Sequence, residues 1–129
     1  MAHFVSISFE SGWQSGGAQL AWLEADLAAV DKRRTPWTVL YVHRPIYCSN
    51  TYSCNLTAPF AAIYEPLFYD SASGGVRVDL VLTSHVHCFE RMHQVTGGVT
   101  VDNGYAGMRT PLYILQGSAG CDEGSTPSR

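Results

Sequence analysis

A chain of 129 residues, 46% hydrophobic and 15% charged, has the material for one core and lacks the composition of a disordered segment. Its formal charge of -3 at pH 7 gives no electrostatic basis for a nucleic-acid partner. No apolar run approaches the roughly 20 residues of a membrane span, and no signal-like apolar segment opens the chain. Residues 1–129 therefore read as a single domain or part of one, without a membrane segment.

Residues 2–9 alternate as a strand does, so the chain enters its first strand at once, as though part-way through a domain. Gly12, Gly16 and Gly17 mark a loop. Leu20, Leu23, Leu27 and Val30 then fall on one face at helical spacing, a face for core packing. The only basic run, Lys32-Arg33-Arg34, follows this helix, where cations complement the C-terminal dipole. Pro36 ends the helical region. Trp37 to Val42 is a continuous run suited to a strand buried on both faces. Residues 44–57, with Pro45 and many turn formers, read as a surface loop. Phe60, Ile63 and Leu67 predict a second helix over residues 59–69, short or kinked at Pro66. Gly74-Gly75 turns the chain into a strand over residues 77–83. Residues 88–95 and 99–101 flank Gly97-Gly98 as a hairpin, and residues 112–115 form a last short strand before Gly117 and Gly120. This order is α/β passing into a mixed (α+β) sheet.

The four cysteines form no zinc-ribbon pattern. Cys48 and Cys54 bracket a short polar loop and can close it as a disulfide, whereas Cys88 and Cys121 cannot be paired from sequence. Asn55-Leu56-Thr57 is an N-glycosylation sequon beside that loop. Together they point to a glycoprotein of an oxidising compartment, secreted or lysosomal/vacuolar.

Three histidines carry the chemistry. His43 closes the strand ending at Val42, and His85 and His87 close the strand ending at Ser84. Strand C-termini are where open α/β sheets place their ligand crevice. A His-x-His pair with a distant third His is a plausible first set of ligands for a catalytic metal. The i, i+2 spacing turns both imidazoles of the pair to one side of an extended strand. His43, His85 and His87 are thus the candidate catalytic and metal-binding residues. His3 and His93 end no buried strand and stay outside the site.

The segments Val42-His43-Arg44-Pro45-Ile46-Tyr47 and Ser84-His85-Val86-His87-Cys88-Phe89-Glu90-Arg91 closely resemble the last two metal-binding motifs of the purple acid phosphatases, members of the calcineurin-like metallophosphoesterases. The likeness extends to Gln19-Leu20-Ala21-Trp22-Leu23-Glu24-Ala25-Asp26-Leu27, to Arg34-Thr35-Pro36-Trp37 and to Gly117-Ser118-Ala119-Gly120. It implies a partial metallophosphoesterase β-sandwich flanked by helices, the C-terminal portion of a catalytic domain. It also implies hydrolysis of phosphate monoesters at a dinuclear centre of Fe(III) and a divalent ion, Fe, Zn or Mn. By position, His43 and His85 resemble ligands of the divalent ion and His87 a ligand of the ferric ion.

The family's earlier motifs, which supply the bridging aspartate, a tyrosine and an Asn-His-Glu segment, are not in this sequence. The substrate-facing histidines of plant-type members are also missing from the loop after His43, which reads Ser49-Asn50-Thr51-Tyr52, and Ser84 stands where the family has Gly. If that position needs positive φ, Ser84 is strained.

Three readings follow. In the first, the chain is a phosphatase fragment of reduced or no activity alone, which without the tyrosine should not be purple. In the second, His43, His85 and His87 hold a single Zn(II) with water in the fourth position. In the third, the chain is a non-catalytic interaction module: apolar faces around residues 38–42 and 78–83 favour a homodimer or a complementing N-terminal half. Among lesser residues, Glu90 and Arg91 are expected to pair locally, and Arg44 to be a solvated loop arginine. Asp122 and Glu123 become ligands only if the C-terminal loop folds back.

Overall fold

A computed structural model describes residues 1–10, 12–49, 58–70 and 74–119. Its elements in chain order are β1 (Ala2–Ile7), α1 (Ala18–Ala29), β2 (Trp37–Val42) and α2 (Ala58–Tyr64). Then come β3 (Tyr69–Asp70), β4 (Gly75–Val76), β5 (Leu80–Thr83), β6 (Phe89–Arg91), β7 (Gln94–Thr96), β8 (Val99–Asp102) and β9 (Leu112–Gln116). The main sheet has the order β1-β2-β5-β9-β6. Its first four strands are parallel, and β6 runs antiparallel to β9. This is the mixed α/β arrangement that the element order predicted.

Alternate residues of the parallel strands face the helices. Val5, Ile7, Leu40, Val42, Val81 and Tyr113 pack with Leu23 and Leu27 of α1 and with Phe60 and Tyr64 of α2 in one buried cluster. Each large apolar side chain so buried contributes about 1.5–3 kcal/mol. Val30 falls outside this stripe, because it is the extended C-cap of α1. No helix among the described residues is long and apolar enough to cross a membrane.

The opposite face of the sheet corrects one expectation. β2 is buried on one face only: Thr38, Leu40 and Val42 are buried, whereas Trp37 is 63% and Tyr41 40% exposed. Phe4 of β1, 62% exposed, stacks beside Tyr41 with ring centroids 6.1 Å apart. The apolar run of β2 is that of a parallel strand, but its second face is left open to solvent.

Local chemistry explains other departures. Pro66, which has no N–H to donate, ends α2, and Glu65–Phe68 continues as a 3-10 turn. The strand expected over residues 77–83 starts only at Leu80. Before it, the Asp79 carboxylate is drawn to the start of β2, taking the Thr38 N–H at 2.7 Å and the Lys32 ammonium at 2.5 Å. The basic run therefore does not serve the helix end: Lys32 binds Asp79, and Arg33 binds Asp31 at 3.0 Å. The run at residues 88–95 splits into β6 and β7. Buried Gln94 turns away, donating to the Gly104 carbonyl at 3.1 Å and accepting the Arg109 N–H at 2.8 Å. The predicted Gly97-Gly98 turn does join β7 to β8, with positive φ at both glycines. Buried Glu65 pins it by accepting the Gly97 N–H at 3.2 Å and the Tyr69 hydroxyl at 2.9 Å.

Cys48 is disulfide-bonded, and Cys88 is free and buried. Cys54, Asn55, Cys121, Asp122 and Glu123 lie outside the described residues.

Candidate active site

The parallel register sets Val42 opposite Thr83, so β2 and β5 end level with one another. One further ladder bond, from the Ser84 N–H to the His43 carbonyl at 2.9 Å, extends the pairing to the first histidine. Beyond Ser84 the chain closes two successive three-residue turns. The Val86 N–H donates to the Ser84 carbonyl at 2.8 Å and the Cys88 N–H to the Val86 carbonyl at 2.7 Å. His85 and His87 are the central residues of these γ-type turns.

Among the described residues His85 alone, apart from glycines, has positive φ, at 68°. An L-residue there carries about 1–2 kcal/mol of strain, and histidine tolerates the region better than most. The strain expected at Ser84 thus belongs to the next residue. Two contacts hold the turn. Val86 is buried against Leu115 and Cys88, and Gly117 brings the end of β9 directly against the Val86 peptide. A Cβ on Gly117 would overlap the Val86 carbonyl oxygen, and the Gly117 N–H donates to the Cys88 carbonyl at 3.0 Å.

This backbone brings two imidazoles together. His85 Nδ1 lies 3.2 Å from His43 Nε2, with ring centroids 5.0 Å apart and planes at 72°. Two nitrogens on one tetrahedral ion at about 2.0–2.1 Å are separated by about 3.4 Å, so the pair matches two positions of a single metal. Among the described residues no group of three His, Cys, Asp or Glu side chains is arranged to hold an ion. His87 lies close enough for its charge to act on His85, but the i, i+2 rule that would turn both rings one way assumes extended backbone, and the turn at His85 departs from it. The residues present fit part of one ion's coordination sphere. Among the described residues nothing adds the bridging carboxylate that a dinuclear centre needs.

The surroundings of His85 favour its neutral form. Burial first, then the Arg44 charge and the His43 and His87 rings, hold His85 below the ordinary imidazole range. Arg44 is not the solvated loop arginine expected. Its guanidinium grips Glu10 through Nε at 2.8 Å and Nη2 at 3.3 Å and lies 5.2 Å from the centre of the Phe9 ring. The Arg44 hydrogen bond in turn holds the Glu10 carboxyl below its usual range. Gln19 fixes the segment that carries Glu10, accepting the Ser8 N–H at 2.6 Å and donating to the Ser8 carbonyl and the Tyr64 hydroxyl, each at 2.9 Å. Glu10 had no sequence signal as a site residue, because its partner lies 34 positions away, and Gln19, which opens a segment of the family likeness, gave no sign of its bonds to Ser8, 11 positions away.

Glu90 and Arg91 do not pair, since neighbouring strand residues point to opposite faces. Glu90 accepts the Ser49 N–H at 2.9 Å, and Arg91 lies over Tyr105 at 4.7 Å. His3 binds Asp26 at 2.7 Å, and His93 donates to the Asn103 carbonyl at 3.2 Å. From His43 and Ser84 an open groove of about 720 Å³ runs along the uncovered sheet face, past Ser6, Tyr41, Leu82, Phe89 and Ile114.

No protein-family model matches the chain. It is 36% identical over 122 residues to purple acid phosphatase 18 of Arabidopsis thaliana, covering 95% of this chain and 25% of that protein. It is 34% identical over 149 residues to acid phosphatase type 7 of Homo sapiens, covering 98% of this chain and 33% of that protein. Among solved structures, purple acid phosphatase PPD1 from yellow lupin (Lupinus luteus) seeds superposes with a TM-score of 0.70 at 20% identity, covering 89% of this chain and 21% of that one. That likeness shows the fold, the metallophosphoesterase fold the motifs implied. The chain spans between a quarter and a third of the length of these two curated relatives.

Proposed function

We infer that this chain, which belongs to the purple acid phosphatases across the stretch it shares with them, supplies part of the metal-ligand set of a phosphate monoesterase. The observation that carries the reading is the meeting of His43 and His85 at 3.2 Å, at the ends of neighbouring parallel strands and beside an open groove. In the complete enzyme, an Fe(III)–divalent pair (Fe, Zn or Mn) supplies positive charge for the phosphoryl oxygens and a water of lowered pKa. What this chain offers is neutral nitrogen. The depressed basicity of His85 keeps its lone pair available, and the Glu10–Arg44 pair braces the residue that follows His43. His87 stands as the third ligand only when further donors join it. The chain alone is therefore a partial domain with little or no turnover.

Metal content, zinc titration and p-nitrophenyl phosphate hydrolysis, on wild type, His43→Ala, His85→Ala and His87→Ala, test this. The expected result is zinc-dependent movement of the His43 and His85 ring signals with negligible hydrolysis. Zinc that leaves both rings unmoved, or family-like turnover abolished by chelator, would overturn it.

The spacing of the pair also favours a second reading, in which this chain alone holds a single Zn(II). One zinc per chain on elemental analysis supports that reading, and an iron–divalent pair supports the complete centre.

The exposed Phe4, Trp37 and Tyr41 support a docking role for the open sheet face, with a complementing N-terminal half as its occupant. A homodimer is the alternative that sedimentation would reveal, and a clean monomer with no concentration dependence counts against both. The bonded Cys48 supports an oxidising compartment, secreted or lysosomal/vacuolar.

A further inference from the structure

The two members of the Glu10–Arg44 pair, beside the histidines, are held in different ways. Arg44 directly follows His43, and its side chain is 25% exposed. Its guanidinium lies 5.2 Å from the centre of the Phe9 ring, a cation on an aromatic face. That ring is itself fixed, because Phe9 is buried and packs on Phe60 and Trp13 with ring centroids 4.8 Å and 5.2 Å away. Glu10, by contrast, is 55% exposed and meets the guanidinium at 2.8 Å and 3.3 Å. An exposed ion pair gains little over two solvated charges. The cation is therefore anchored by its ring contact, while the carboxylate is free to exchange.

Glu10 also lines the histidine groove with Phe9, His43 and Ser84, and no other acid is among the lining residues. Both charges act on the histidines: after burial, Arg44 does most to hold His85 below the ordinary range, and Glu10 opposes it. The fork of a guanidinium takes a carboxylate or a phosphate through the same parallel donors.

We propose that Arg44 is an oxyanion-binding residue of the histidine site and that Glu10 is its built-in competitor, displaced into solvent when a phosphate group takes the guanidinium. Resting on the phosphatase reading, that phosphate group belongs to the monoester. The device is selective, because a phosphate dianion carries more charge than the carboxylate it displaces, whereas a simple carboxylate has no advantage over Glu10. A purely structural brace makes the opposite forecast: removing the Glu10 charge would loosen Arg44 and weaken anion binding.

Inorganic phosphate is titrated into the full chain without metal, with acetate at matched ionic strength as control, while the Arg44 Nε–H signal is followed by NMR. The expected result is saturable movement with phosphate and none with acetate. Binding should be about fivefold tighter in Glu10→Gln, the gain from removing an exposed ion pair. In Arg44→Gln the phosphate response, read at the His43 ring, should be lost. Glutamine keeps the shape of an exposed Glu10, so that variant retains the fold. Phosphate binding in Glu10→Gln no tighter than in wild type, or an Arg44 signal unmoved by phosphate, overturns the proposal. Phenyl phosphate should move the same signal, and a response to inorganic phosphate alone would overturn the assignment to a monoester. Zinc reports the metal-ligand reading by itself. If it leaves the His43 and His85 rings unmoved while the Glu10→Gln gain stands, the metal site fails and the oxyanion site survives.

Discussion

His85 Nδ1 lies 3.2 Å from His43 Nε2, although 42 positions separate the two residues in the chain. The parallel register that sets Val42 against Thr83 ends both strands at one level, and the bond from the Ser84 N–H to the His43 carbonyl carries the pairing one step further. The turn at His85 then swings its ring back toward His43. The pair is thus a product of strand pairing plus one left-handed residue, and each component can be tested.

The positive φ of His85 predicts an order among its replacements. His85→Gly should be more stable than His85→Ala by about 1 kcal/mol, because only glycine occupies that region without a Cβ penalty. Both variants remove the imidazole, so urea unfolding of the two isolates the backbone effect. Equal midpoints would contradict it.

Gly117→Ala should destabilise the chain by about 1–3 kcal/mol, as overpacking against fixed atoms does. The obstacle is the Val86 carbonyl, backbone that cannot rotate away. Amide spectra should show the largest shifts at residues 84–88, and a wild-type spectrum there would count against the close approach.

The lowered pKa of His85, caused first by burial and then by Arg44 and the neighbouring rings, fixes the sign of one pH effect. The unfolded chain binds this proton more readily than the folded one, so stability is fully present above about pH 6.5. It falls as pH drops from there through the folded-state value. Denaturation curves across that interval should show the loss, with a shallower slope in His85→Gln. An NMR titration should place the midpoint of His85 below that of a free imidazole.

Gln19→Ala removes three hydrogen bonds that join Ser8 and Tyr64 to α1. Each is worth about 0.5–1.5 kcal/mol net, so a loss of about 2 kcal/mol is expected in urea unfolding. Because Ser8 leads directly to Glu10, the variant should also loosen the Arg44 side chain, read from its Nε signal.

Buried Cys88 has its thiol pushed up to about 11 by burial and by Glu90. It should resist alkylation at neutral pH in the native chain and react once unfolded. Fast native labelling would place it at the surface.

Much of this was legible without coordinates. The strand runs before His43 and His85, the leucine stripe of α1, the helix broken at Pro66 and the Gly97-Gly98 turn all follow from local spacing and single-residue stereochemistry. The ancestry was legible in the two histidine motifs. Less visible were the places where a residue answers to a distant partner. Asp79 turns its carboxylate to Thr38 and Lys32, Gln94 holds residues 104 and 109, and Arg44 abandons solvent for Glu10.

The sequence by itself determined most of the strands and helices and which histidines close two of the strands. Periodicity and motif spacing are properties of neighbours along the chain. Only the tertiary structure decided that His43 and His85 share a point, that His85 rather than Ser84 bears the strain, and which face of the sheet stands open. Those outcomes depend on register between strands and on which layer covers which face, and no local pattern of side chains records either.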